Sequence, residues 1–111
     1  MNTFTYKEIL AAYKELNKLP CRFFLITPIG DSCCPVGIMT LKKLKILVSV
    51  RELALFAQDL FDSDFIFGVQ TAFDLCSSQD TILINYKRWG KMYLRGRIIG
   101  RALRKTLLKD N

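Results

Sequence analysis

The chain has 111 residues, of which 50% are apolar and 24% are charged, a composition typical of a globular domain and not of a disordered segment. Its formal net charge is +7, and residues 81–111 supply that excess with nine Lys or Arg against one acid, whereas residues 1–80 carry eight against nine. The longest uncharged run, 32–41, is too short to span a bilayer, and residues 1–15 lack the apolar core of a signal peptide. We expect one domain over residues 1–111, cytoplasmic and not membrane-bound, with a basic C-terminal surface.

The first predicted element is a helix that begins after Thr5. Thr5 and Glu8 have the spacing of a capping box, and Phe4 and Ile9 have the spacing of a hydrophobic staple. Pro20 cannot continue a helix, so we expect this one to end near Lys18.

A short apolar and aromatic run, residues 22–27, predicts a buried strand before the turn formed by Pro28 and Gly30. Two alternatives remain for residues 33–39. They pair back as the second strand of a hairpin, or Pro35 begins a short helix that runs towards Leu44.

The four cysteines, Cys21, Cys33, Cys34 and Cys76, form no CxxC pair, and the chain has no histidine. These features argue against a zinc site and favour buried thiols. If Pro35 begins a helix, Cys34 is its N-cap, where the helix dipole could make a thiol reactive.

Two further helices are predicted in the middle of the chain. Ser49 and Glu52 form a second capping box before a helix to Phe61. Asp62, Ser63 and Asp64 are cap-forming residues that then interrupt the period, which resumes from Phe65 to about Leu75. The polar loop 76–80 follows.

Residues 82–109 predict one long basic helix, extending roughly 30 Å or more. Its apolar stripe contains Gly96 and Gly100 one turn apart. Glycine inside a helix costs about 1 kcal/mol, a cost most easily offset where another backbone approaches closely. We therefore expect a tight crossing against the first or the second predicted helix.

The other side of this predicted helix carries the candidate binding residues. Its cations are spaced to follow a phosphate backbone or an acidic groove. Leu94 and Ile98 lie among these cations and are candidate partner contacts, unless the N-terminal half of the chain covers them. The candidate polyanion-binding residues are Lys87, Lys91, Arg95, Arg97, Arg101, Arg104 and Lys105.

Catalysis has little support in the sequence. Histidine, the commonest general base, is absent, and the acids and serines lie where helix caps and turns explain them. We expect a protein without enzymatic activity, cofactor or metal.

The sequence therefore predicts a predominantly helical α+β fold of about four helices, with a short strand or hairpin near residues 21–39. The leading functional hypothesis is binding of a nucleic-acid backbone without sequence specificity. The alternatives are an inhibitor or adaptor, of the kind phages and mobile elements encode, that docks on an acidic protein surface, and a binder of small nucleotide-like anions through Arg95, Arg97 and Arg101. A homodimer is a further option.

Overall fold

The structure is a computed structural model that describes residues 2–20, 32–45, 50–74 and 90–108. The fold is α+β and predominantly helical, as predicted. In chain order, the described ranges contain α1 (Tyr6–Leu16), β1 (Leu19–Pro20), β2 (Ser32–Cys33), α2 (Pro35–Leu44), α3 (Val50–Leu60), α4 (Ser63–Asp74) and α5 (Lys91–Leu107). The predicted strand 22–27, the Ser49 cap, the loop 76–80, Lys87, Cys21 and Cys76 lie outside the described residues.

The start of α1 follows the predicted capping signals. Thr5 is the N-cap, and its hydroxyl oxygen accepts a hydrogen bond from the Glu8 amide at 3.2 Å. Phe4 and Ile9 are both buried in the core. The helix ends at Leu16, earlier than the predicted Lys18, because Asn17 adopts a left-handed conformation with φ 53° and its amide bonds back to the helix.

The short sheet does not have the form of a hairpin, which was one of the two alternatives for this segment. Leu19 pairs with Ser32 and Pro20 with Cys33, and the two strands are parallel, whereas the strands of a hairpin are antiparallel. Pro35 begins α2, so the helical alternative for this segment is correct. The Tyr13 hydroxyl donates to the Cys33 carbonyl oxygen at 2.6 Å and ties α1 to the sheet.

Cys34 is the N-cap of α2. Its Sγ atom accepts a hydrogen bond from the Gly37 amide at 3.3 Å. Cys33 and Cys34 are both fully buried, and neither forms a disulfide, as predicted for these two cysteines. In this conformation Cys34 lacks the solvent access that a reactive thiol needs.

The turn between α3 and α4 also follows the sequence signals. The Asp62 carboxylate accepts from the Phe65 amide at 2.9 Å and caps α4. The segment that precedes α1 lies against this turn, because the Asp62 amide donates to the Asn2 carbonyl oxygen at 2.8 Å. The Phe4 ring lies between those of Phe61 and Phe65, with centroids 5.0 and 4.9 Å away.

The last helix is shorter than predicted. Gly90 precedes it with φ 87° and ψ −168°, a conformation open almost only to glycine. The predicted single helix over residues 82–109 is therefore wrong at this point, and α5 begins at Lys91. Its 17 residues correspond to a length of about 25 Å.

Helices α4 and α5 make the most extensive helix contact in the described part of the chain. Gly96 faces the Phe65 carbonyl, and Gly100 faces the Val69 carbonyl. Both pairs are 31 residues apart in the sequence, so the two helices run parallel. The predicted close crossing at the glycines is confirmed, but its partner is the helix from Ser63 to Asp74 and not the first or second predicted helix.

Candidate binding face on the last helix

The packing of α5 against α4 fixes which of its side chains face outward. The inner side consists of Tyr93, Gly96, Gly100 and Leu103, all buried as the helical period predicts. The outer side carries four exposed cations, which we call the exposed basic face: Lys91, Arg95, Arg101 and Lys105.

Arg97 does not belong to the exposed basic face, contrary to the sequence prediction. Only 2% of its surface is exposed. Its Nη1 atom donates to the Thr71 hydroxyl at 3.0 Å and to the Tyr93 hydroxyl at 3.3 Å. The guanidinium carbon also lies 5.8 Å from the centre of the Tyr93 ring, within cation–π range. Arg97 is thus part of the contact between α4 and α5.

Arg104 is turned inward as well, so its prediction as a polyanion-binding residue also needs correction. It is 9% exposed, and its Nη1 atom donates to the Phe73 carbonyl oxygen at 2.7 Å. Phe73 lies in the last turn of α4, where carbonyl groups lack partners within the helix and carry partial negative charge. Arg104 therefore stabilises the C-terminal end of α4.

The four cations of the exposed basic face have no acidic partner among the described residues. Helix α5 contains no acidic residue, and none of the four forms an ion pair with another described residue. By contrast, Lys42 on α2 pairs with Glu15 on α1 at 3.0 Å. The positive potential of α5 is therefore directed at solvent.

Ile98 lies at the centre of the exposed basic face. Arg95 and Arg101 are three residues away on either side, and Lys91 and Lys105 are seven residues away. The side chain of Ile98 is 64% exposed, so the described N-terminal half does not cover it. Leu94, the other predicted contact, is half-buried.

The described ranges offer little support for a metal site, a membrane-spanning helix or a site for a small anion. No group of three or more Cys, Asp or Glu side chains is placed to hold a metal ion there. No helix in the same ranges has the length and apolar content needed to cross a bilayer. A small anion held jointly by Arg95, Arg97 and Arg101 does not fit, because Arg97 is engaged inside the α4–α5 contact.

The inward positions of Arg97 and Arg104 had one signal in the sequence. Each lies four residues, about one turn, after a member of the inner stripe, Tyr93 or Gly100, so each lies at the edge of that stripe and not at the centre of the outer face. Long arginine stems reach across such an edge and bury themselves. The sequence of α5 does not show that α4 supplies hydrogen-bond acceptors for these two arginines.

Comparison of the chain with protein families, with curated proteins and with solved structures finds no significant match.

Proposed function

We propose that this protein is a non-catalytic binding module that engages an anionic macromolecule through the exposed basic face of α5. The observation that carries the proposal is a set of four exposed cations, none paired with another described residue, on one side of a helix that contains no acid. Cations without local partners leave an attractive potential for an anionic surface, which raises the rate of encounter.

Two classes of anionic macromolecule fit this face. A nucleic-acid backbone suits a row of cations that extends from Lys91 to Lys105, a distance of about 21 Å. An acidic protein surface suits the same cations and also offers a place for Ile98, which is exposed at their centre.

The test removes charge from the face and, in a matched control, from elsewhere. R95Q/R101Q neutralises two cations of the exposed basic face. K7Q/K14Q neutralises two cations at exposed positions of α1. Fluorescence anisotropy then follows binding to a random DNA duplex and to poly-L-glutamate between about 50 and 200 mM salt.

We expect binding of at least one probe to weaken as salt rises, and R95Q/R101Q to lower that affinity about tenfold, or about 1.4 kcal/mol. The K7Q/K14Q control should change it less than about twofold. Absence of binding to both probes, or equal losses in the two double variants, would refute a binding function for α5.

A further inference from the structure

The exposed side of α5 is built from three ridges of side chains. Residues four apart on a helix form such ridges, and the grooves between them receive the ridges of a second helix. The middle ridge of α5 is apolar and the two that flank it are basic: Leu94, Ile98 and Ala102 form the middle ridge, Lys91 and Arg95 one flank, and Arg101 and Lys105 the other.

The middle ridge protrudes at one point. Ile98 is 64% exposed, whereas Leu94 and Ala102 are half-buried. A phosphate backbone gains little from an isoleucine, since its binding comes from charge neutralisation and counterion release. An apolar centre with a charged rim is instead the arrangement of a protein–protein contact, where the central side chain supplies much of the binding energy.

A second copy of the chain does not suit this face. In a two-fold contact centred on Ile98, the same face of α5 would be used by both copies. The basic ridges that flank Ile98 in one copy would therefore meet the basic ridges of the other. All four flanking residues are cations, and no acid on α5 could offset them. Contact between two copies here would therefore bring like charges together.

From this arrangement we infer that the partner of α5 is an acidic amphipathic helix of another protein, which packs along α5 with Ile98 inserted between its apolar side chains. The inference rests on the proposed function and names its partner. Acidic residues on both sides of the partner's apolar stripe would meet the two basic ridges. Charge complementarity attracts any acidic partner to this face. Ile98 makes a helix with an apolar stripe bind more tightly than other polyanions.

The experiment compares three probes and two variants. Two synthetic helical peptides of about 20 residues, long enough to follow α5, carry the same glutamates. One has Leu at every third or fourth position, and the other has Gln at those positions. A random DNA duplex is the third probe. The variants are I98S and, as a control, L55S, which replaces another exposed apolar residue, 57% exposed on α3.

We expect the wild-type protein to bind the Leu-containing peptide about tenfold more tightly than the Gln-containing one, and I98S to remove that difference. L55S should retain it. Thermal unfolding midpoints of both variants should match the wild type, because both positions are exposed.

Two other results overturn the inference in distinguishable ways. If the duplex or both peptides bind with salt-dependent affinity but I98S behaves as L55S does, the proposed function stands and the helical partner is refuted. If none of the three probes binds at low salt, both the partner and the proposed function fail.

Discussion

At the scale of single residues, Arg97 shows how a cation of a basic segment becomes structural. It is buried between α4 and α5, where its Nη1 atom bonds to the hydroxyls of Thr71 and Tyr93. Its Nε atom has no hydrogen-bond acceptor among the described residues. Among the described residues the buried guanidinium has no carboxylate partner. Its burial therefore costs free energy, which opposes the stabilisation that the packing of the side chain provides.

The substitution R97M separates these two effects. Methionine fills most of the volume of the arginine stem, and the Thr71 and Tyr93 hydroxyls, 3.3 Å apart, still pair with each other. We expect the free energy of unfolding of R97M in urea to stay within about 1 kcal/mol of the wild type. R97A should lose about 2–4 kcal/mol, because it leaves a cavity.

An R97M variant as unstable as R97A would show that the guanidinium hydrogen bonds outweigh the cost of its burial. Binding of anionic probes should be the same in R97M as in the wild type, in contrast to R95Q/R101Q. A loss of binding in a folded R97M would contradict the placement of Arg97 away from the exposed basic face.

At the scale of elements, the contact between α4 and α5 depends on glycines in both helices. A Cβ atom at Gly96 would lie 2.9 Å from the Val69 amide nitrogen and closer still to the Phe65 carbonyl. Gly68 on α4 makes the reciprocal approach, to the backbone at Tyr93. The hydrogen that replaces each side chain points at a carbonyl oxygen, as in the weak Cα–H···O contacts of closely packed helices.

We expect G96A to destabilise the protein by about 2–3 kcal/mol, although alanine favours the helical state by about 1 kcal/mol, because the two backbones must separate. The matched control is A102G, on the outer side of the same helix, which should cost only the propensity difference of about 1 kcal/mol. Urea unfolding of both variants measures this. Equal stability of G96A and the wild type would mean that the helices can part at little cost.

The same elements show what a sequence can predict. The capping signals at Thr5 and Asp62 and the period of α5 depend on neighbours within one or two turns, and these features were predicted correctly. The break at Gly90 was missed because a glycine in a helical pattern has the same appearance whether it continues the helix or ends it. The period of α5 identified its inner face, but the helix that covers this face is chosen by tertiary packing, and periodicity carries no information about that choice.

At the scale of the whole molecule, Phe4 joins the start of the chain to α3 and α4. It is 3% exposed, and its ring packs against those of Phe61 and Phe65. The same core contains residues of α1, α2 and α5. A change at Phe4 should therefore affect the stability of the entire protein and not of one helix alone.

We expect F4A to lower the free energy of unfolding by about 3–5 kcal/mol and to do so in a single transition seen by both far-UV circular dichroism and tryptophan fluorescence. The control is F67A, at a position that is 37% exposed on α4, where the loss should be about 1 kcal/mol. Separate transitions for the two signals would show that the protein does not unfold as one cooperative unit.

The candidate site could also be predicted from the sequence only in part. The sequence placed a basic face on the last helix, and the structure exposes Lys91, Arg95, Arg101 and Lys105 there. The helical period places Arg97 and Arg104 only at the edge of the buried stripe, and their burial depends on acceptors supplied by α4. The sequence of α5 therefore does not separate them fully from the four exposed cations.

The parallel arrangement of α4 and α5 also bears on how quickly the protein reaches its native state. Two consecutive helices joined by a short turn pack antiparallel through local contacts, whereas Gly96 meets Phe65, and Arg104 meets Phe73, across 31 residues of chain. Closing that loop costs chain entropy before the contact between α4 and α5 provides any stabilisation. A largely helical chain with this topology has a higher contact order than an up-and-down bundle and is expected to fold more slowly than its helix content alone would suggest.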